Sequence, residues 1–128
     1  MRSAGIDKPR DLFYFVYKMA KRDYLGEFEL IVILALLRLS DSAYGVSVRQ
    51  EIAERTGRDV SIGAIYATLD RLETKGYVRS HLGEPTPERG GRPKRFFKVT
   101  GKGVTAVNRT QAAVQLLMEG LDLDFSNA

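Results

Sequence analysis

The sequence predicts a mainly α-helical fold with a small β-hairpin. Three observations carry this. Residues from Phe28 to Leu39 are apolar nearly all round, the pattern of a buried central helix. Ile62, Ile65, Leu69 and Leu72 share one face of a later helix. Two β-prone segments, Tyr77 to Leu82 and Lys94 to Thr100, flank a loop with three Gly and three Pro between Gly83 and Pro93. Three helices followed by two strands is the order of a winged helix-turn-helix. Here an extra N-terminal helix and a long C-terminal helix are added. At 128 residues the chain is one compact unit with a modest core.

Each element has a local reason. Asp7-Lys8-Pro9 starts the N-terminal helix, with Pro9 in its first turn and Asp11 near its positive end. Leu12, Phe15, Val16 and Met19 fall at helical spacing, beside an aromatic stripe of Phe13, Tyr17 and Tyr24. The central helix runs from about Leu25 to Leu39, and Ser40-Asp41-Ser42 breaks it with capping chemistry. A shorter helix from Tyr44 to about Arg55 turns Val48 and Ile52 inward and Arg49, Gln50, Glu51 and Glu54 outward. Gly57 is its expected C-cap. Asp59 or Ser61 opens the next helix, which ends near Gly76. After the hairpin, Thr100-Gly101-Lys102-Gly103 is a second break, and a final helix runs from about Val104 to Leu121.

Composition narrows the function classes. The net charge is +4 and the charge is uneven: six Lys or Arg and no acid lie between Arg89 and Lys102. That favours a polyanionic partner. There is no cysteine, which excludes disulfides and thiolate metal sites and agrees with a cytoplasmic protein. The longest apolar run, Leu30 to Leu37, is far shorter than the ~20 residues that span a bilayer, so no membrane is expected. Arg2 is followed by no apolar segment with a small-residue cleavage site, so no signal peptide is expected. His81 is the only histidine and follows Ser80 on a strand, where adjacent side chains point to opposite faces. No catalytic pair, metal cluster or cofactor is implied.

The helix after Ser61 and the hairpin point instead to duplex DNA. Opposite the apolar face lie Gly63, Ala64, Ala67, Arg71 and Thr74, flanked by Tyr66 and Thr68. Small outward residues let a backbone approach base edges and the thymine methyl. A plain amphipathic core helix is the competing reading. The hairpin carries Arg89, Arg92, Lys94, Arg95 and Lys98, cations suited to phosphates or a minor groove. A solvated basic loop is the competing reading there.

These residues together resemble the PadR family of bacterial transcriptional regulators. The resemblance covers about Leu25 to Gly103. It rests on Tyr44-Gly45, on Val60-Ser61 through Glu73, on Gly91-Arg92-Pro93-Lys94-Arg95-Phe96, and on Thr100-Gly101-Lys102-Gly103. It implies a homodimeric winged-helix repressor reading a palindromic operator. It implies DNA contacts from Ser61, Ala64, Tyr66 and Thr68, and wing contacts from Arg92, Lys94 and Arg95. Tyr44, Gly63, Ala67 and Arg71 complete the candidate set. Family members often carry Thr where this chain has Ala64 and Pro where it has Ala67, which bears on base preference. Some PadR-like proteins respond to flat aromatic compounds at the dimer interface. This chain has no Trp to stack on them, and Phe13, Tyr14, Phe15 and Tyr17 are candidate pocket residues, with a core face as the alternative.

The final helix has its own signal. Val104, Val107, Gln111, Val114, Met118 and Leu121 follow a heptad seam, with Ala113 and Leu117 beside it. About eighteen residues give roughly 27 Å of helix. The expected dimer contacts are Val107, Gln111, Val114, Leu117, Met118 and Leu121, joined by Leu12 and Phe15 from the N-terminal helix. Gln111 is either paired across the dyad or marks where the two arms diverge. The expected organisation is 1–24 as a dimer-contacting helix, 25–100 as a winged-helix DNA-binding domain and 101–128 as a dimerisation helix. The alternative is a winged-helix module that binds protein rather than DNA.

Overall fold

A nearly all-apolar helix holds the centre of the molecule, because its neighbours cover it on several sides. The computed structural model describes Leu12, Tyr14 and residues 24–85 and 92–123. Helix α1, Glu27–Leu39, buries Val32, Ile33, Ala35 and Leu36. Its start is capped when the Gly26 amide donates to Glu29 Oε1 at 2.9 Å. Helices, the hairpin and the final helix all pack on α1. Leu34 and Leu37 nevertheless stay exposed, so one side is uncovered and burial is not all round.

Helix α2, Gly45–Thr56, opens with the Tyr44 amide donating to Ser47 Oγ and stops at Gly57, whose φ of 73° is left-handed. It buries Val48 and Ile52, as the periodicity predicts. Helix α3, Ile62–Thr74, begins where the Ser61 hydroxyl accepts from the Ala64 amide at 3.1 Å. Ser61 rather than Asp59 is therefore the cap. Ile65, Leu69 and Leu72 are fully buried.

Strands β1, Val78–Leu82, and β2, Arg95–Val99, pair antiparallel, with Val78 opposite Val99 and Leu82 opposite Arg95. Phe97 and Val78 seat the base of this hairpin in the core. The other edge of β2 is also engaged. Tyr44 bridges Phe96, and the Phe97 amide donates to the Ala43 carbonyl at 2.9 Å. The start of α2 thus acts as a short third strand, which alternation in the sequence did not reveal.

Helix α4, Gly101–Met118, is capped when the Thr100 hydroxyl accepts from the Gly103 amide. The same hydroxyl donates to the Gly76 carbonyl at 2.7 Å. Its inward face is Gly103, Ala106, Val107 and Thr110. Thr110 Oγ1 accepts from the Leu25 amide at 2.9 Å, fixing α4 to the residues that lead into α1. Gly103 is required by close approach: a Cβ there would lie 2.8 Å from Val99 Cγ1 and nearer still to the Tyr77 carbonyl oxygen.

Two expectations for the final helix change. Val107 is buried within its own chain and is not a free seam residue. The small residues Gly103, Ala106 and Thr110 bring α4 close enough to α1 and β2 for that. Leu121 lies beyond the helix, because Gly120 adopts a left-handed φ of 79° and ends it. Of the N-terminal helix, Leu12 and Tyr14 are helical and exposed, whereas Phe15, Phe13 and Tyr17 lie outside the described residues. After Thr110, no described residue of α4 is buried, and Val114, Leu116 and Leu117 are exposed. Among the described residues no helix is long and apolar enough to cross a membrane.

Candidate nucleic-acid interface

The outward side of α3 is low in relief, as its small residues predict. Gly63, Ala64 and Ala67 are exposed, and a Cβ placed on Gly63 would meet no atom within 4 Å. Tyr66 stands at the edge of this face, 37% exposed. Its ring lies over Gly45, where a Cβ would be 2.8 Å from Cε2 and nearer to Cζ and the hydroxyl. A side chain at Gly45 would therefore have to displace the Tyr66 ring of the next helix, which occupies that space. That contact ties α3 to the first turn of α2.

The hairpin joins the same surface through Tyr44. Lys94 Nζ sits 4.4 Å from the centroid of the Tyr44 ring, a cation–π contact. Phe96 meets that ring edge-on at 5.7 Å and also stacks with His81. Tyr44 is half-buried between them. Gly63, Ala64, Ala67, Tyr66, Tyr44 and Lys94 thus fall on a chain of contacts that runs from α3 across the start of α2 to the hairpin. Arg92 is exposed and has no ion-pair partner among the described residues.

Thr68, Arg71 and Arg95 take different positions from those expected. Thr68 is buried, and Arg71 Nη2 donates to its hydroxyl at 3.3 Å. It belongs to the inward face, one residue before Leu69. Arg71 leans toward the α1 start, with its Nε 3.9 Å from Glu29 Oε2. The resemblance implies a DNA contact from Arg95 on the wing, yet in the structure Arg95 is tied to acids of α3. Its Nη2 donates to Glu73 Oε1 at 2.5 Å, Nη1 to Asp70 Oδ1 at 3.5 Å, and Nε to Ser80 Oγ at 3.1 Å. Ser80 in turn donates to Glu73 Oε2 at 2.8 Å, and the guanidinium lies 4.9 Å from the centroid of the Phe97 ring. Lys98 pairs with Asp41 at 3.1 Å and Lys102 donates to the Lys75 carbonyl. Of the described cations of the basic run, Arg92, Lys94 and Lys102 have no carboxylate partner, and Lys102 is held by the Lys75 carbonyl, which leaves Arg92 and Lys94.

A second ionic contact sets the base of α3. Glu29 is buried and accepts from Lys75 Nζ at 2.8 Å. Burial pushes the Glu29 carboxyl up, but the Lys75 hydrogen bond, the Gly26 amide and the charges of Lys75 and Arg71 outweigh it, and the group ionises below its ordinary value. No local motif signals this pair, whose partners lie 46 residues apart in the chain.

Comparison with known proteins agrees with this architecture. The profile described as the "Transcriptional regulator PadR-like family" matches residues 33–109. An uncharacterised protein of Lysinibacillus sphaericus is 29% identical over 100 residues, covering 71% of this chain and 88% of its own. Among solved structures, a PadR-like transcription factor from Bacteroides fragilis superposes with a TM-score of 0.60 at 24% identity, covering 81% of this chain and 92% of that one. A PadR family regulator from Eggerthella lenta gives 0.58 at 21% identity, covering 88% and 91%. BpsR of Bordetella bronchiseptica, whose DNA binding is regulated by 6-hydroxynicotinic acid, gives 0.52 at 15% identity, covering 88% and 87%. With the family profile spanning the helix pair, the hairpin and the first half of α4, this chain belongs to the PadR-like family of transcriptional regulators.

Proposed function

We propose that the chain is a sequence-specific DNA-binding repressor that acts as a homodimer on a palindromic operator. The observation that carries this reading is the exposed small-residue face of α3, Gly63, Ala64 and Ala67, set beside Tyr66 and linked through Tyr44 to the cations of the hairpin. In this reading α3 enters the major groove, with backbone and methyl groups against base edges. Ser61, at the N-terminus of α3, and Tyr66 reach phosphates. Arg92 and Lys94 hold the adjacent backbone.

The dimer is formed by the second half of α4, with Leu12 and Phe15 from the N-terminal segment. Val114, Leu117 and Met118 support it, since they are apolar and exposed in the single chain. Gln111, exposed on the same helix, meets its copy or sits where the arms part. Leu121 follows the helix and is likewise apolar and exposed. Residues 1–24, 25–100 and 101–128 then serve as flanking contact, reading domain and arm, all in the cytoplasm. A small-molecule effector completes the proposal. The regulated Bordetella bronchiseptica protein makes 6-hydroxynicotinic acid a natural first compound to test.

The test is selection from a random duplex pool by the purified protein, followed by titration at several salt concentrations. A palindromic consensus is expected. Arg92→Ala should flatten the slope of log affinity against log salt by about 1.8 per dimer, at about 0.9 per lost phosphate contact. No enriched sequence and no salt dependence would refute DNA reading and favour the protein-binding alternative.

A further inference from the structure

The hairpin carries its exposed cations on a stretch that its own two strands hold weakly, since an isolated two-stranded ribbon is marginal in water. Its base is fixed by Phe97 and Val78 in the core. Beyond that base, two consecutive residues of β2 hold it from opposite faces, as strand alternation requires. Phe96 holds it to Tyr44 at the start of α2. Arg95 holds it to α3, through Glu73 and Asp70, which lie three residues apart and so share one side of that helix. Arg95 is also the residue opposite Leu82, the last pair of the ladder. Outward of it come Lys94 and Arg92.

We propose that Arg95 is a positioning residue: through Glu73 it sets the hairpin at a fixed angle to α3, and it makes no contact with phosphate. All three guanidinium nitrogens are already engaged, by Glu73, Asp70 and Ser80, and one face of the group lies over Phe97. A phosphate contact would have to displace a bidentate-type arrangement built on two carboxylates. Ser80 completes a closed circuit, because it donates to Glu73 and accepts from Arg95. The consequence is that Glu73, an acid in a DNA-binding surface, favours binding: it keeps Lys94 and Arg92 where the groove read by α3 brings phosphates. This inference rests on the DNA-binding reading for its effect on affinity, but the lock itself does not.

The experiment compares Arg95→Gln, Glu73→Gln and the double variant with the parent protein. Binding is measured by anisotropy on the duplex selected by the parent, across a salt series. Hydrogen exchange is measured without DNA at the Gly83 amide, which donates to the Lys94 carbonyl at 2.7 Å just beyond the lock. Both single variants should weaken binding by roughly tenfold, and the double should be no worse than either. The salt slope should not change, and Gly83 should exchange faster in all three. The proposal is overturned if Arg95→Gln flattens the slope by about 1.8 per dimer. It is equally overturned if Glu73→Gln tightens binding, as loss of a repelling acid would. Should the parent select no duplex, the DNA-binding reading fails by itself, and the exchange arm alone decides: faster Gly83 exchange upholds the lock and unchanged exchange refutes it.

Discussion

Gly45→Ala offers a sharp test of the α2–α3 junction, because its sign should depend on a second residue. A methyl at position 45 would lie 2.8 Å from Cε2 of Tyr66 and closer to Cζ and the hydroxyl. The backbone at Gly45 is helical, so alanine itself causes no strain there. On propensity alone it should stabilise by up to about 1 kcal/mol. The collision reverses this: overpacking of this kind costs about 1–3 kcal/mol. The net expectation is a loss of about 1–2 kcal/mol. In a Tyr66→Ala background the ring is gone, and the same Gly45→Ala change should stabilise by up to about 1 kcal/mol. For a chain of this size each kcal/mol moves the melting temperature by roughly 3–5 °C. Thermal unfolding of the four proteins at one fixed concentration therefore reads the effect, the fixed concentration being needed if the chain self-associates. An equal loss in both backgrounds would show that Tyr66 does not occupy the space above Gly45, and the tie between α3 and α2 would fall with it.

Gly103→Ala should cost about 3 kcal/mol and not be relieved by any neighbouring truncation, because the obstacle is the Tyr77 backbone carbonyl; a neutral effect in urea titration would contradict the packing of α4. Glu29 ionises below its ordinary value of 4.5 in the native state. Its stabilisation is thus complete above about pH 5 and is lost as pH falls through the lowered value. Glu29→Gln should cost about 1–2 kcal/mol at neutral pH and flatten the acid limb of the stability curve; parallel limbs would dispose of the idea. Val114→Asp should give monomers in sedimentation, since the residue is exposed in one chain and becomes a buried unpaired charge in the proposed arm. A variant still dimeric at micromolar concentration would move the interface elsewhere.

The helices were legible because their signals are local. Ser61 and Thr100 accept from amides three residues on, and Gly57 turns left-handed one residue after α2. Large apolar residues at helical spacing located α1 and α3 for the same reason. The face of α4 was harder. A search for large apolar residues selects Val114, Leu117 and Met118, which are exposed in the chain. The face that packs is small, Gly103, Ala106 and Thr110, and its affinity for α1 and β2 comes from close approach rather than from apolar area. Val107 lies where the two patterns overlap, so spacing alone could not assign it.

The same logic explains the basic hairpin. Counting charges from Arg89 to Lys102 treats every cation as available, yet availability is decided by acids elsewhere in the chain. Glu73 and Asp70 lie 22 and 25 residues from Arg95, and Asp41 lies 57 from Lys98. No window of the sequence holds both partners. What a reader of the sequence could have used is the spacing of Asp70 and Glu73 on the last turns of α3. Two acids on one side of a helix proposed to meet DNA are a repulsion that something must neutralise. The cation that does so is the one in the hairpin nearest that turn. An acidic pair on the reading helix is therefore evidence for a structural arginine in the wing; with Lys98 on Asp41 and Lys102 on the Lys75 carbonyl, the described cations left for phosphate are Arg92 and Lys94.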